Sequence, residues 1–212
     1  MSGSLVFCDF DGTIIQEEIF VELLRRFAPE ASERVLPEIY ALRRTLRDGL
    51  REILGTIPSR CWPAMETYVQ ENAHLREGFA EFLADLPGLG WSLLVVTGGF
   101  ARMAELVLAS LASRILAVHG LEAGTDGPFL RVWSSWEDGR ELVAKAKIFA
   151  HYAPDRAICI GDSVTDLELA RTCPRVFARD RLADYLDQEN RPYLPFRNFH
   201  EIGRVLAAGD PG

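Results

Sequence analysis

The chain has 212 residues, 48% of them hydrophobic, with 23 Lys and Arg against 31 Asp and Glu and a formal net charge of −8. That length supports one full core, or one core plus a small accessory module. An acidic balance without any basic run speaks against nucleic acid as a partner, and no apolar run approaches the ~20 residues of a membrane span. The first strand is expected from Leu5, which leaves no room for a signal peptide, so the reading is a cytoplasmic protein without membrane association.

Leu5-Val6-Phe7-Cys8 is an apolar run of the kind buried on both faces of a parallel sheet. Asp9 and Asp11 follow it. In an extended chain, residues two apart point the same way, so both carboxylates leave the strand end on one side and Phe10 leaves on the other. Packed together, the two acids repel. A divalent cation resolves that repulsion, and oxygen ligands suit Mg²⁺. Gly12 and Thr13 then turn the chain and offer a hydroxyl and backbone amides. A carboxylate nucleophile, a second carboxylate to move protons, a metal and short polar donors are the requirements of a phosphate site. An isolated Asp-x-Asp is more often a solvated turn; its place between an apolar strand and Gly-Thr reverses that reading.

After Thr13 the pattern turns helical. Ile19, Phe20, Leu23, Leu24 and Phe27 recur at helical spacing, and Pro29 is expected to stop the run. Further helices are expected at 33–47, 49–54 and 63–72, with no strand in 16–74. About sixty residues of helix is long for a direct crossover, so 16–74 reads as an inserted helical module. The core then comprises 1–15 and 75–212. The alternative is a long irregular crossover.

From Gly78 strands and helices alternate. Helices are expected at 78–86, 100–111, 141–152, 164–171, 182–188 and 199–208, and strands at 91–96, 115–118, 157–160 and 176–178. Residues 129–133 read as half of a hairpin turning at 124–127, and 209–212 as a frayed end. The pattern implies an α/β fold, a Rossmann-like parallel sheet flanked by helices with right-handed crossovers. The four cysteines have no metal-like spacing and read as reduced, mostly buried thiols.

Ligands in such sheets bind beyond the carboxyl ends of the strands. Three strand ends here are polar: Asp9-Phe10-Asp11, Thr97-Gly98-Gly99 and Gly161-Asp162-Ser163. Thr97 offers a hydroxyl, and Gly98 lets a backbone amide approach an anion. Asp162 and Asp166, four apart, share one face of a helix start; the plain alternative is that both simply favour the helix dipole. A phosphoryl group also needs a second cation. Lys145 and Lys147 are the candidates, each of which alone would be an ordinary solvated lysine.

Asp9-Phe10-Asp11-Gly12-Thr13, Thr97-Gly98, Lys145 and Gly161-Asp162-Ser163-Val164-Thr165-Asp166 resemble the four motifs of the haloacid dehalogenase-like (HAD) phosphohydrolases. The resemblance implies an aspartyl-phosphate on Asp9, general acid/base work by Asp11, and Mg²⁺ as cofactor held among Asp9, Asp11, Asp162 and Asp166. It places Gly12, Thr13, Thr97, Gly98 and Lys145 at the phosphate, and it makes 16–74 an all-helical cap that reads the rest of the substrate. Glu17, Glu18 and Arg51 are the cap-side candidates. Finer runs at 75–79, 161–170, 177–182 and 194–202 resemble the methionine-salvage branch of that family. One departure is that 133–141 lacks the Cys-rich insertion of that branch. The phosphoserine phosphatases are the neighbouring branch. Glu18 stands where they bind the substrate amine, but Ser163 and Thr165 replace their Gly and Asn. The partner implied is a small phosphorylated metabolite, with a homodimer left open. A phosphomutase-type transferase and a non-catalytic binding module are the alternatives from other classes.

Overall fold

Val6, Phe7 and Cys8 are fully buried, and the strand they form, β1 (Ser4–Cys8), lies in the middle of a seven-stranded sheet. The computed structural model describes residues 3–41 and 43–209. The other strands are β2 (Trp91–Phe100), β3 (Ile115–Gly124), β4 (Arg131–Trp133), β5 (Arg156–Gly161), β6 (Val176–Ala178) and β7 (Leu194–Pro195). Their order is β4-β3-β2-β1-β5-β6-β7, parallel except for β4, which runs antiparallel to β3. The chain therefore builds outward on one side of β1 and then crosses to the other. The carboxyl ends of β1, β2 and β5 meet at that switch point, with Cys8 paired to both Val95 and Ile160. A crevice beyond such a point is where open α/β sheets bind ligands.

Four helices follow β1 before the chain reaches residue 75: α1 (Ile19–Phe27), α2 (Pro29–Tyr40), α3 (Leu46–Leu54) and α4 (Trp62–Asn72). Six more pack around the sheet: α5 (Phe79–Asp85), α6 (Ala101–Val107), α7 (Lys145–Tyr152), α8 (Leu167–Thr172), α9 (Asp180–Gln188) and α10 (Phe199–Ala207). Among the described residues, no helix is long and apolar enough to cross a membrane. The four cysteines are free thiols, three of them buried.

Several boundaries differ from the sequence reading, each for a local reason. The run from Ile19 ends at Phe27, just before Pro29, as expected, but Pro29 also starts a helix, ahead of the one expected from 33. It opens α2, where a missing N–H costs nothing because first-turn donors have no helical partner. The helix expected at 33–47 stops at Tyr40, and α3 restarts under a Thr45 cap whose hydroxyl accepts the Asp48 N–H at 3.1 Å; position 42 lies outside the described residues, as do 210–212 of the expected frayed end. The helix expected from 141 begins at Lys145, because Asp138 Oδ1 accepts the amides of Arg140 and Glu141, both at 2.7 Å, and holds a turn there. The strand expected at 115–118 runs on to Gly124 and forms the hairpin with β4. Two-residue β7, ending in Pro195, carries no sequence signal.

Helices α1–α4 are tied to the rest of the fold by the Arg47 N–H, which donates to the Arg140 carbonyl at 2.9 Å, and at three further places. Their two connecting segments meet in an antiparallel bridge, Ile15 to Leu75. Residues 57–59 pair with the segment before β4: Leu130 N–H donates to the Ile57 carbonyl at 2.9 Å and Ser59 N–H to the Pro128 carbonyl at 3.1 Å. Between them, Phe100 at the end of β2 receives Phe20 of α1 and Trp62 of α4 edge-on, with centroids 5.7 and 4.9 Å away.

The register of β2 on β3 slips between Val96 and Phe100, which frees Thr97, Gly98 and Gly99 from regular pairing. Gly120 of β3 lies under that bulge. A Cβ there would stand 2.7 Å from Ala101 N and 2.8 Å from the Gly99 carbonyl oxygen. Both are backbone atoms that cannot rotate away. Gly120→Ala should therefore cost about 1–3 kcal/mol, the usual range for overpacking. The check is the urea midpoint, which should fall while the slope stays constant.

Candidate active site

Asp9 ends β1, and its N–H donates to the Ile160 carbonyl at 2.9 Å. Its carboxylate Oδ1 lies 2.5 Å from Lys145 Nζ, and the same ammonium donates to Asp166 Oδ1 at 2.7 Å. Asp166 Oδ2 in turn accepts the N–H groups of Asp162 and Ser163, both at 3.2 Å. Thr13 donates its hydroxyl to Asp162 Oδ1 at 2.9 Å. Asp9, Lys145, Asp162 and Asp166 are each no more than 5% exposed. Lys145 opens α7 and points inward, whereas Lys147 is exposed and donates to the Glu137 carbonyl. Of the two lysines, Lys145 is the one in the site.

Two glycines make room for these acids. A Cβ on Gly12 would overlap the Asp162 carboxylate, and one on Gly161 would overlap that of Asp166. Gly12 also has φ +69°, in the region that disfavours side chains.

Carboxylate oxygens of Asp9, Asp162 and Asp166 all lie within 4.8 Å of one another. One ammonium faces three carboxylates, so the cluster keeps an excess of negative charge in a buried place. The groups respond accordingly. Burial, with Asp9 and Asp166 beside it, pushes the Asp162 carboxyl up to about 9. Burial and Asp166 raise Asp9 to about 6 against the pull of Lys145. Burial opposes the charge of Lys145, but Asp166 and Asp9 outweigh it and push its pKa up. A divalent cation on these hard oxygens would relieve the crowding, and the donor set fits one. Asp11 stands apart from that cluster. Its Oδ1 accepts the Phe20 N–H at 2.9 Å, and the three clustered acids are Asp9, Asp162 and Asp166. Burial and the charge of Asp9 lift Asp11 to about 7.

One pocket opens above the cluster. Its floor holds Asp9, Asp11, Thr97, Gly98 and Asp162, and its walls include Phe20, Val21, Leu24, Leu36, Ile39 and Leu50. Thr97 Oγ1 accepts the Gly99 N–H at 2.9 Å and shapes the bulge. Glu18 also lines the pocket. Two cap-side candidates are placed elsewhere. Glu17 binds the His74 N–H and lies 2.9 Å from its Nδ1, and Arg51, with Arg47, is paired to Glu137 at 2.7 Å; neither lines the pocket. Glu17 lies near the strand end in sequence and Arg51 in α3, and the side chain of each is paired outside the pocket.

Three residues were not anticipated. Arg76 is buried and carries no carboxylate partner among its hydrogen bonds. Its Nε donates to the Thr13 carbonyl at 2.8 Å and its Nη2 to the Gly12 carbonyl at 2.6 Å, so it holds the loop that follows Asp9. Glu141 lines the pocket, and burial, then Asp138, lift it to about 7. Arg181 lines it as well. A buried guanidinium serving carbonyls more than sixty residues away leaves no local pattern; the charged runs 75–79 and 177–182 were the only hint.

A family model described as haloacid dehalogenase-like hydrolase matches residues 6–171. The chain belongs to that family. It is 45% identical to 2-hydroxy-3-keto-5-methylthiopentenyl-1-phosphate phosphatase of Microcystis aeruginosa over 210 residues, covering 98% of this chain and all of that one. It is 31% identical to the phosphatase of the same name from Brevibacillus brevis, covering 97% and 96% of the two chains. Among solved structures, a phospho-aspartyl intermediate analogue of phosphoserine phosphatase superimposes with TM-score 0.69 at 17% identity, covering 97% and 99%. A phosphoserine phosphohydrolase-like protein from Francisella tularensis gives 0.72 at 21%, with the same coverage. The structural likenesses define the fold, and the sequence relatives are phosphatases of this family.

The crowded carboxylates make stability depend on pH in a defined direction. Asp162 is raised from an ordinary 3.8 to about 9, so between those values the metal-free folded state holds its proton more tightly than the unfolded chain does. Stability must then fall as pH rises through that window. A divalent cation binds the ionised carboxylates and competes with their protons. The rise in Tm on adding a divalent cation to chelator-treated protein should be larger at about pH 8 than at about pH 6. Calorimetry at the two pH values checks it; equal increments would contradict a cation at this cluster.

Proposed function

We propose that the chain hydrolyses a phosphate monoester with a short, apolar, thioether-bearing tail, 2-hydroxy-3-keto-5-methylthiopentenyl-1-phosphate, in methionine salvage. The observation that carries this reading is the pocket itself: an acidic floor for the phosphate chemistry under a wall of Phe20, Val21, Leu24, Leu36, Ile39 and Leu50. An apolar wall desolvates a methylthio group favourably and offers nothing to an amino acid's ammonium and carboxylate. The 45% identity to a phosphatase of that name supports the same substrate. The fold likeness to phosphoserine phosphatases bears on architecture alone.

Asp9 is the nucleophile. One carboxylate oxygen bonds to phosphorus as the bond from phosphorus to the ester oxygen breaks, giving an acyl phosphate. Asp11 carries the proton. Raised to about 7, it can enter the reaction protonated, give its proton to the departing oxygen, and take one back from the water that then attacks phosphorus and releases Asp9. The Thr97 hydroxyl and the Gly98 amide hold phosphate oxygens, and Lys145 keeps Asp9 oriented and offsets charge. Asp9, Asp162 and Asp166 would hold Mg²⁺, which supplies positive charge for the phosphate oxygens when bound. Helices α1–α4 act as the cap that encloses the tail.

Asp9→Asn should remove turnover by orders of magnitude, with no labelled phosphate left on the denatured protein. Asp11→Asn should be slowed roughly 10²–10⁴-fold, the usual worth of general acid/base catalysis. Substrate choice is tested by kcat/KM on the unmutated protein for the salvage phosphate and for O-phosphoserine. A preference for O-phosphoserine would overturn the substrate and leave the phosphatase chemistry standing.

A further inference from the structure

The pocket is lined by five acidic residues, Asp9, Asp11, Glu18, Glu141 and Asp162, and by one basic residue, Arg181. Asp9 and Asp162 belong to the buried cluster. Glu18 differs from them. Its side chain is 41% exposed, so it sits at the solvent side of the pocket. Left alone, a carboxylate there would attract any substrate carrying an ammonium. It is not alone. Arg181 Nη2 donates to Glu18 Oε1 at 3.2 Å, and the Arg181 guanidinium lies over the Tyr40 ring, 5.2 Å from its centroid. Arg181 comes from α9, on the sheet side. Glu18 precedes α1 and Tyr40 ends α2, on the inserted side. All three line the pocket, so one guanidinium spans the seam at its mouth.

A half-exposed pair of this kind adds little to folding. Its consequence lies in recognition. We propose that Arg181 is a specificity-determining residue: by engaging Glu18 across the seam it cancels the carboxylate at the pocket mouth, so that the site rejects ammonium-bearing phosphate monoesters and takes those with uncharged tails. An ammonium reaching Glu18 must displace the guanidinium and leave it facing the incoming positive charge. An uncharged tail makes no such demand. Discrimination here comes from an unfavourable element built against the wrong substrate as much as from the apolar wall that suits the right one. The guanidinium also has five N–H donors in a planar fork, more than Glu18 uses, and these suit hydroxyl or keto oxygens on an uncharged tail.

The proposal rests on the phosphomonoesterase reading but not on the identity of the natural substrate. The test compares O-phosphoethanolamine with propyl phosphate, which differ by an ammonium in place of a methyl. The measured quantity is the ratio of their kcat/KM values within each variant, so any general loss of activity cancels. In the parent protein the ratio should favour propyl phosphate. Arg181→Gln should raise the ratio for O-phosphoethanolamine at least about tenfold, because Glu18 is then unmasked. Adding Glu18→Gln to that variant should return the ratio to within about threefold of the parent. Arg181→Lys, which keeps the charge, should stay near the parent. A ratio unmoved in Arg181→Gln, or a gain that survives in the double variant, overturns the proposal. If the parent turns over both probes but not the salvage phosphate, only the substrate assignment fails. If the parent releases phosphate from no monoester, the phosphatase reading fails and this proposal with it.

Discussion

Three carboxylates and one ammonium share a buried space at the end of the central strand, and much of the surrounding structure exists to make that arrangement tolerable. Like charges in a low-dielectric setting repel strongly. Lys145 binds Asp9 and Asp166 directly, the Thr13 hydroxyl and two backbone amides take further lone pairs, and Gly12 and Gly161 leave the volume that the acids fill. Removing one partner from such a network usually costs about 3–5 kcal/mol, because the remaining charge stays buried. A divalent cation on these oxygens would relieve the same repulsion.

Two strands supply the acids and a third supplies the turn of Thr97, Gly98 and Gly99. β1 and β5 are hydrogen-bonded neighbours, so residues far apart in sequence arrive side by side. The bulge in β2 over Gly120 brings Thr97 and Gly98 to the same edge. Arg76 then ties the loop after Asp9 to the point where the helical insertion returns to the sheet. The chemistry thus sits on rigid elements, while the apolar wall comes from α1, α2 and α3.

The parts of this site that were legible in the sequence are those fixed by local pattern. An apolar run followed by Asp-x-Asp sets direction by strand geometry alone, and the regular alternation after residue 78 sets a parallel sheet. Choosing Lys145 over Lys147 needed the start of α7, which a two-residue shift in the sequence cannot settle. Glu17 was a candidate substrate contact because it carries charge close to the site in sequence, and Arg51 because the phosphoserine phosphatase resemblance implies a cap Arg. Sequence proximity does not give direction, and each found a partner elsewhere, in His74 and Glu137. Arg76 and Arg181 were illegible for the opposite reason. Their partners lie 63 and 163 residues away, and only the closed fold brings them together.

The pairing of 57–59 with the strand that leads into β4 has a mechanical meaning. Helices α1–α4 are fastened by main-chain hydrogen bonds at three points: the crossing of residues 15 and 75, this second stitch, and the bond from the Arg47 N–H to the Arg140 carbonyl at 2.9 Å. A body held at one point can swivel in any direction; a body held at two can turn only about the line that joins them. Widening the pocket by rotation about the line through the first two, like a door on two hinges, would first have to break the Arg47–Arg140 bond. Arg181, Glu18 and Tyr40 bridge the gap between door and frame, where a latch would sit.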